Sequence, residues 1–234
     1  MIYMQSLINS ILFPRFCIYC NNPGNHICPR CFSLVRKAEL QECIICHNYS
    51  IDGKTHKYCR NIVKNSPINH QFAFIYNQYS KLIFLESKSK YNAFSILNFL
   101  AETSYFADLI NGYRQFNIDF ITYIPMSFKP FSKRLLDHSE HIGKLISKYM
   151  GIPCLKILKS TLRKDQKSLN LGRRFLFASK KYHIINSSKI AGSNILLVDD
   201  ISTSGASIIS AADILYNSRA TNIYSFTLFK RPLT

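Results

Sequence analysis

Thirteen consecutive residues constrain this chain more tightly than any other stretch: Ile195-Leu196-Leu197-Val198-Asp199-Asp200-Ile201-Ser202-Thr203-Ser204-Gly205-Ala206-Ser207. Four apolar residues without alternation predict a short strand covered on both faces, the kind found in the middle of a parallel sheet. Two carboxylates follow at its C-terminal end, which is where ligands sit in open α/β sheets. Asp199 and Asp200 stand there as acceptors for vicinal hydroxyls or a metal-bound sugar. The turn from Thr203 to Ser207 is small, hydroxylated and carries Gly205, so backbone N–H groups can close around a phosphate. A helix over Ser207 to Tyr216, with Ile208, Ile209, Ala212 and Leu215 on one face, would add its positive N-terminus. The plainer reading is a buried strand ending in a turn, with Asp200 capping the helix. A cap needs neither a second acid nor five small residues in succession.

The second constraint is a set of soft ligands at fixed spacing. Cys17-x-x-Cys20, Cys28-x-x-Cys31, Cys43-x-x-Cys46 and His56-x-x-Cys59 form four paired knuckles near the N-terminus. Each pair can put two ligands on one tetrahedral ion, and two pairs complete a closed shell, as in structural zinc. Eight ligands therefore make two zinc sites, which serve folding rather than catalysis because no coordination position is left open. Sequential pairing groups Cys17, Cys20, Cys28 and Cys31 on one ion and Cys43, Cys46, His56 and Cys59 on the other; a crossed pairing is the alternative. His56 stands where a fourth such pair would place cysteine, with His47 and His26 as its rivals. Cys154, far from any partner in sequence, reads as a small core residue. Disulfides are the weaker explanation for so many CxxC pairs in a chain whose opening Met1 to Phe16 lacks a basic n-region and a small-residue cleavage site.

No apolar run approaches the roughly 18 residues of a membrane helix, so a cytoplasmic protein without membrane insertion is expected. Charge is the notable feature of composition: +17 overall. Between Ser127 and Lys181, fourteen Lys and Arg face only Asp137, Glu140 and Asp165. Such a block suits pyrophosphate, a phosphosugar or a nucleic-acid backbone, or it is a solvated face. Before the knuckles, Leu7 to Phe13 fits a short helix ended by Pro14. After them, the polar residues 61–69 with Pro67 read as a linker, Phe72 to Tyr76 as a strand, and Tyr91 to Ile110 as a helix with Phe94, Leu97, Leu100 and Phe106 inward. The expected organisation is a zinc-ribbon domain over 1–62 and an α/β domain over 63–234. Walker, nucleophile-elbow and HExxH motifs are absent from the sequence.

The order of four apolar residues, two acids and a Thr/Ser-rich loop around glycine resembles the phosphoribosyl pyrophosphate (PRPP) motif of the type I phosphoribosyltransferases. Zinc ribbon first and PRPP motif last resembles the ComF family of competence-associated proteins, and Leu12-Phe13-Pro14-Arg15-Phe16-Cys17 looks like that family's opening. The resemblance implies a parallel sheet flanked by helices, with a small N-terminal zinc-ribbon domain. It further implies that Asp199 and Asp200 hold the ribose hydroxyls of Mg²⁺-bound PRPP, or of a related phosphosugar, while Thr203, Ser204, Gly205, Ala206 and Ser207 wrap its 5′-phosphate. Ile121 to Ser127 looks like the pyrophosphate-binding strand and loop, which assigns Pro125, Met126, Ser127 and Arg134 to pyrophosphate. Gln166-Lys167-Ser168-Leu169 with Arg174 is a further partial match, with Phe177 in place of an asparagine. After Arg134 the family's Gly-Phe-Asn-Gln is replaced by Leu135-Leu136-Asp137-His138, and a loop without glycine approaches a ligand less freely. Two functions follow from the resemblance. One is a working phosphoribosyltransferase involved in DNA uptake. The other is a catalytically inactive competence accessory that keeps the phosphosugar pocket and binds single-stranded DNA, with competence or recombination proteins as partners.

Overall fold

The computed structural model describes residues 15–87, 93–126, 137–161 and 181–233. Residues 7–13, read above as a helix, and residues 127–136 and 162–180 of the basic block lie outside them. Among the described residues four strands make one parallel sheet: β1 (Asn69–Ile75), β2 (Phe120–Tyr123), β5 (Asn194–Ser202) and β6 (Asn222–Lys230), in the order β1-β6-β5-β2. A separate antiparallel ribbon pairs β3 (Leu158–Ser160) with β4 (Tyr182–Ile184). The helices are α1 (Pro29–Phe32), α2 (Lys57–Ile62), α3 (Gln78–Glu86), α4 (Ala93–Ala101), α5 (Ser104–Asn111), α6 (His138–Met150) and α7 (Ala206–Asn217). This is the α/β arrangement expected, a parallel sheet flanked by helices.

The apolar run 195–198 lies in β5, flanked by β2 and β6, and its four side chains are fully buried. Leu196 and Val198 pack with Ile142 and Ile146 of α6 on one face, and Ile195 and Leu197 with Ile208, Ala212 and Leu215 of α7 on the other. Each such side chain contributes roughly 1.5–3 kcal/mol by leaving water, which is why the run shows no alternation.

Both sheet edges are covered. The segment 36–41 runs along β1: Ile75 N–H donates to the Arg36 carbonyl at 2.9 Å, Ala38 N–H to the Ala73 carbonyl at 2.9 Å, and Gln41 exchanges two side-chain bonds with the Phe72 backbone. On the β2 side, Ile121 N–H donates to the Pro153 carbonyl and Leu155 N–H to the Ile121 carbonyl, each at 2.8 Å. These contacts leave no free edge for another chain to pair with at those positions.

Three local expectations change. The single helix over 91–110 is two, because Thr103 caps α5 by accepting from Phe106 N–H at 3.3 Å. Phe94, expected inward, is 41% exposed and lies against the His141 ring at 4.2 Å between centroids. Residues 61–69 are not a free linker: Ser66 and Pro67 are buried, and Thr55 bonds the Pro67 carbonyl through its hydroxyl (2.6 Å) and the Ile68 carbonyl through its N–H (2.8 Å). Cys17, Ile27, Cys31 and Val35 join the α6-side core with Phe74 and Ile83, whereas Ile44 joins the α7-side core. The chain thus straddles the β1 edge, with one knuckle pair on each face of the sheet.

Candidate functional site

β2 ends at Tyr123, opposite Val198, whereas β5 continues to Ser202. Asp199 and Asp200 therefore belong to the strand, yet stand past the end of its neighbour, in a notch beside the N-terminus of α6. Asp199 is only 8% exposed, and its Oδ1 accepts from Ser139 Oγ at 2.8 Å and from Asp200 N–H at 2.9 Å. Burial first, then the neighbouring Asp200 charge, push its carboxyl well above the usual carboxylate range, although the two donors and Lys181 favour the anion. Asp200 is half-buried, its Oδ2 3.6 Å from His138 Nδ1. The other ring nitrogen, Nε2, donates to the Ser87 carbonyl at 2.7 Å, which fixes the imidazole toward the carboxylate. Asp200 does not cap α7, whose N-cap is Gly205 without any side-chain cap bond.

Asp137, in sequence an acid of the basic block standing where the motif departs from the family pattern, ties two parts of the notch together. Its Oδ1 caps α6 by accepting from Glu140 N–H at 3.3 Å, and its Oδ2 accepts from Met126 N–H at 3.0 Å. Burial raises its pKa, and the charges of Glu140 and Asp200 add to that against the two N–H donors. Of the four residues assigned to pyrophosphate, Pro125 and Met126 follow directly on β2, while Ser127 and Arg134 lie outside the described residues. Gln166, Lys167, Ser168, Leu169 and Arg174 lie outside them too.

The turn after β5 closes a cavity of about 230 Å³ lined by Asp199 and residues 201–208. Gly205 has φ +70°, and α7 makes its first backbone bond from Ile209 N–H to the Gly205 carbonyl at 2.9 Å. The N–H groups of Ala206, Ser207 and Ile208 thus precede the first bonded turn, the arrangement that binds anions at a helix start. Lys181 Nζ donates to Ser207 Oγ at 3.1 Å and brings a positive charge to the same rim. Sequence reasoning placed Lys181 only within the basic block; its position after β3 and beside the cavity is a tertiary fact.

The eight soft ligands converge into two clusters, Cys17, Cys20, Cys28 and Cys31 in one and Cys43, Cys46, His56 and Cys59 in the other, with the ligand atoms of each within 4.8 Å of one another. His56 offers Nδ1, 3.3 Å from Cys46 Sγ. His47 instead turns to Lys230, and His26 joins neither cluster. Burial raises the Cys17 thiol, but N–H donors of Cys28, Cys20 and Tyr19 outweigh it and bring the group down to about 6. Cys43 is lowered in the same way by Cys46, His56 and Ile45. Knuckle amides that favour thiolate suit a tetrahedral, sulfur-rich site, so both clusters can hold zinc. Among the described residues no group of three acids converges comparably. A cation at Asp199 and Asp200 would take its other ligands from substrate and water, which is how magnesium sits with phosphates.

The second cluster abuts the turn after β5. Lys230, 4% exposed at the end of β6, donates to the Thr203 carbonyl at 2.6 Å and to His47 Nδ1 at 3.1 Å, with Glu42 Oε2 at 3.7 Å. A Cβ on Gly205 would come within 2.6 Å of the Ile44 side chain.

Residues 135–234 match the phosphoribosyl transferase domain family. Among solved structures, an adenine phosphoribosyltransferase aligns over 58% of this chain and 69% of its own at 19% identity, with a TM-score of 0.38. The Saccharomyces cerevisiae adenine phosphoribosyltransferase, solved with an imino-altritol bisphosphate and adenine, aligns over 58% and 68% at 20% identity and a TM-score of 0.34. The Leishmania tarentolae enzyme aligns over 75% and 88% at 15% identity and a TM-score of 0.35. No curated protein sequence matches the chain. Among the described residues no helix is long and apolar enough to cross a membrane.

Proposed function

We propose that this protein binds Mg²⁺-PRPP, or a related phosphosugar, in the notch between β5 and α6, and that it is a ComF-like phosphoribosyltransferase acting in DNA uptake. One observation carries the reading: an acid pair standing past the end of β2 is followed at once by a glycine turn that opens the N-terminus of α7 into a cavity. Asp199 and Asp200 hold the ribose hydroxyls, the amides of 203–207 hold the 5′-phosphate, and pyrophosphate lies toward Pro125, Met126, Ser127 and Arg134. The metal supplies charge neutralisation for the phosphates. In the transfer, the bond from sugar carbon to pyrophosphate oxygen breaks, a bond to the acceptor nucleophile forms, and pyrophosphate leaves with the electron pair. The residues described stabilise charge rather than form a covalent intermediate. Structural zinc fills both N-terminal clusters, and metal analysis is expected to return two ions per chain.

Calorimetry of the full chain with PRPP and Mg²⁺, followed by a pyrophosphate-release assay, tests this. Asp199→Asn with Asp200→Asn is expected to abolish PRPP binding while the protein stays folded; unchanged affinity in that variant ends the reading.

A second reading, nucleic-acid contact by a non-catalytic competence protein, is favoured by a separate cleft of about 610 Å³ lined by Thr55, Lys57, Arg60, Asn61 and Lys64. Three cations on one side of α2 and its C-terminal extension suit a phosphate backbone. If single-stranded DNA lies there, replacing Lys57, Arg60 and Lys64 by Gln flattens the log–log salt dependence of binding by roughly 0.7 for each phosphate the protein ceases to neutralise. An unchanged slope removes the cleft from consideration.

A further inference from the structure

A turn that points its N–H groups at a phosphate must turn carbonyl groups the other way. Each carbonyl so turned, away from water, needs a donor behind it. For Thr203, the first residue of the turn, that donor is the Lys230 ammonium at 2.6 Å, reached from the end of β6 where Lys230 sits in register with Ser202. The β6 backbone is itself fixed at this point: Tyr76 N–H donates to the Lys230 carbonyl at 2.7 Å and Arg231 N–H to the Ser202 carbonyl at 2.8 Å. An ammonium has only donors, so His47 Nδ1, 3.1 Å away, accepts the second bond, and Glu42 Oε2 at 3.7 Å balances the charge. Glu42 and His47 bracket the Cys43-x-x-Cys46 knuckle, and Ile44 within it fills the space that any side chain on Gly205 would need.

We propose that Lys230 is a positioning residue for the phosphate turn: its buried ammonium ties the Thr203 carbonyl to the second Cys/His knuckle, which is the back wall that sets the turn's shape. This rests on the reading of 203–207 as a phosphate cradle. Without the ammonium, the Thr203 carbonyl loses its outward partner and is free to rotate toward the anion it should face away from. The knuckle then acts on the ligand through the turn without touching the ligand itself.

The test is Lys230→Met in the full chain, a change of similar shape that removes only the charge and its donors. Removing one member of a buried group of partners is destabilising, because Glu42 and the Thr203 carbonyl lose their donor, so thermal unfolding first establishes that the variant folds. The variant is expected to keep both metal ions, to exchange amides 203–207 faster than wild type, and to bind PRPP with Mg²⁺ about tenfold more weakly. Lys230→Arg, which keeps donors, should recover part of that loss. PRPP affinity within about twofold of wild type, with unchanged exchange at 203–207, overturns the assignment. Failure of wild type itself to bind PRPP would instead end the phosphosugar reading, and faster or unchanged exchange at 203–207 would still support or overturn the brace. Should Lys230→Met not fold, Glu42→Gln replaces it: a smaller loss, about threefold, with faster exchange supports the brace, and no change in either overturns it.

Discussion

The two Cys/His clusters obey the same spacing rule and do different things. Cys17 and Cys31 are buried in the larger core with Phe74, Ile83 and Phe229, so an ion there would hold the β1 side of the fold together. The second cluster contributes Ile44 to the opposite core and meets the turn at 203–207 through Ile44 and through the His47–Lys230 contact. Ligand arithmetic identifies a metal site, but what the site supports depends on the face of the sheet against which it lands. On the proposed reading, one half of the molecule is organised for stability and the other for a ligand.

The largest expected effect breaks the first half. Cys31→Ser removes a buried ligand of the core-side cluster, and because metal-binding energy is folding energy at such a site, it should cost more than about 4 kcal/mol. Thermal unfolding with metal analysis checks this. Cys46→Ser, at the other cluster, should show chiefly as weaker PRPP binding, and the reverse ordering would dissolve the comparison. Next comes Gly205→Ala, which forces a side chain into left-handed backbone and against Ile44, at a cost of about 2–4 kcal/mol. In an Ile44→Ala background the contacts with the Ile44 side chain disappear and only its carbonyl, at 3.1 Å, still crowds the new Cβ, so denaturant unfolding should return a coupling of about 1 kcal/mol or more.

The smallest effect has the opposite sign. Asp199 is raised well above its ordinary value, so the folded state binds its proton more tightly than the unfolded chain does. Its contribution is fully present below the unfolded value near 4 and is lost as pH rises through the folded value. At neutral pH the burial of this carboxyl therefore opposes folding. Asp199→Asn should raise stability there by about 1 kcal/mol, roughly 2–4 °C in Tm, with the gain vanishing near pH 3. Melting curves at the two pH values decide it. A functional half that gains stability on losing its acid, beside a structural half that loses stability on losing its thiol, would sharpen the contrast.

The strand 195–198, the acids behind it and the small turn were legible in the sequence because each is a local pattern with few other uses. The two ligand clusters were legible from spacing, whereas the choice among His56, His47 and His26 needed the fold. Asp137, Ser139, Lys181 and Lys230 were not legible as site residues, since each comes to the site through tertiary packing. Lys230 in particular carries no local signal beside Arg231, and only the nine-residue β6 carrying it inward brings it to the Thr203 carbonyl. Residues 61–69 read as a linker because they are polar with a proline, a composition equally suited to a buried turn whose carbonyls are met by Thr55.

The central claim is that the turn at 203–207 receives the phosphate of PRPP and that the second knuckle is part of the same structural unit. Amide hydrogen exchange on the full chain, with and without Mg²⁺-PRPP, tests it directly. Ligand-dependent protection is expected at 203–207 and at 43–47 together, with residues 17–31 unaffected. Protection absent from 203–207, or shared equally by both knuckles, would contradict it.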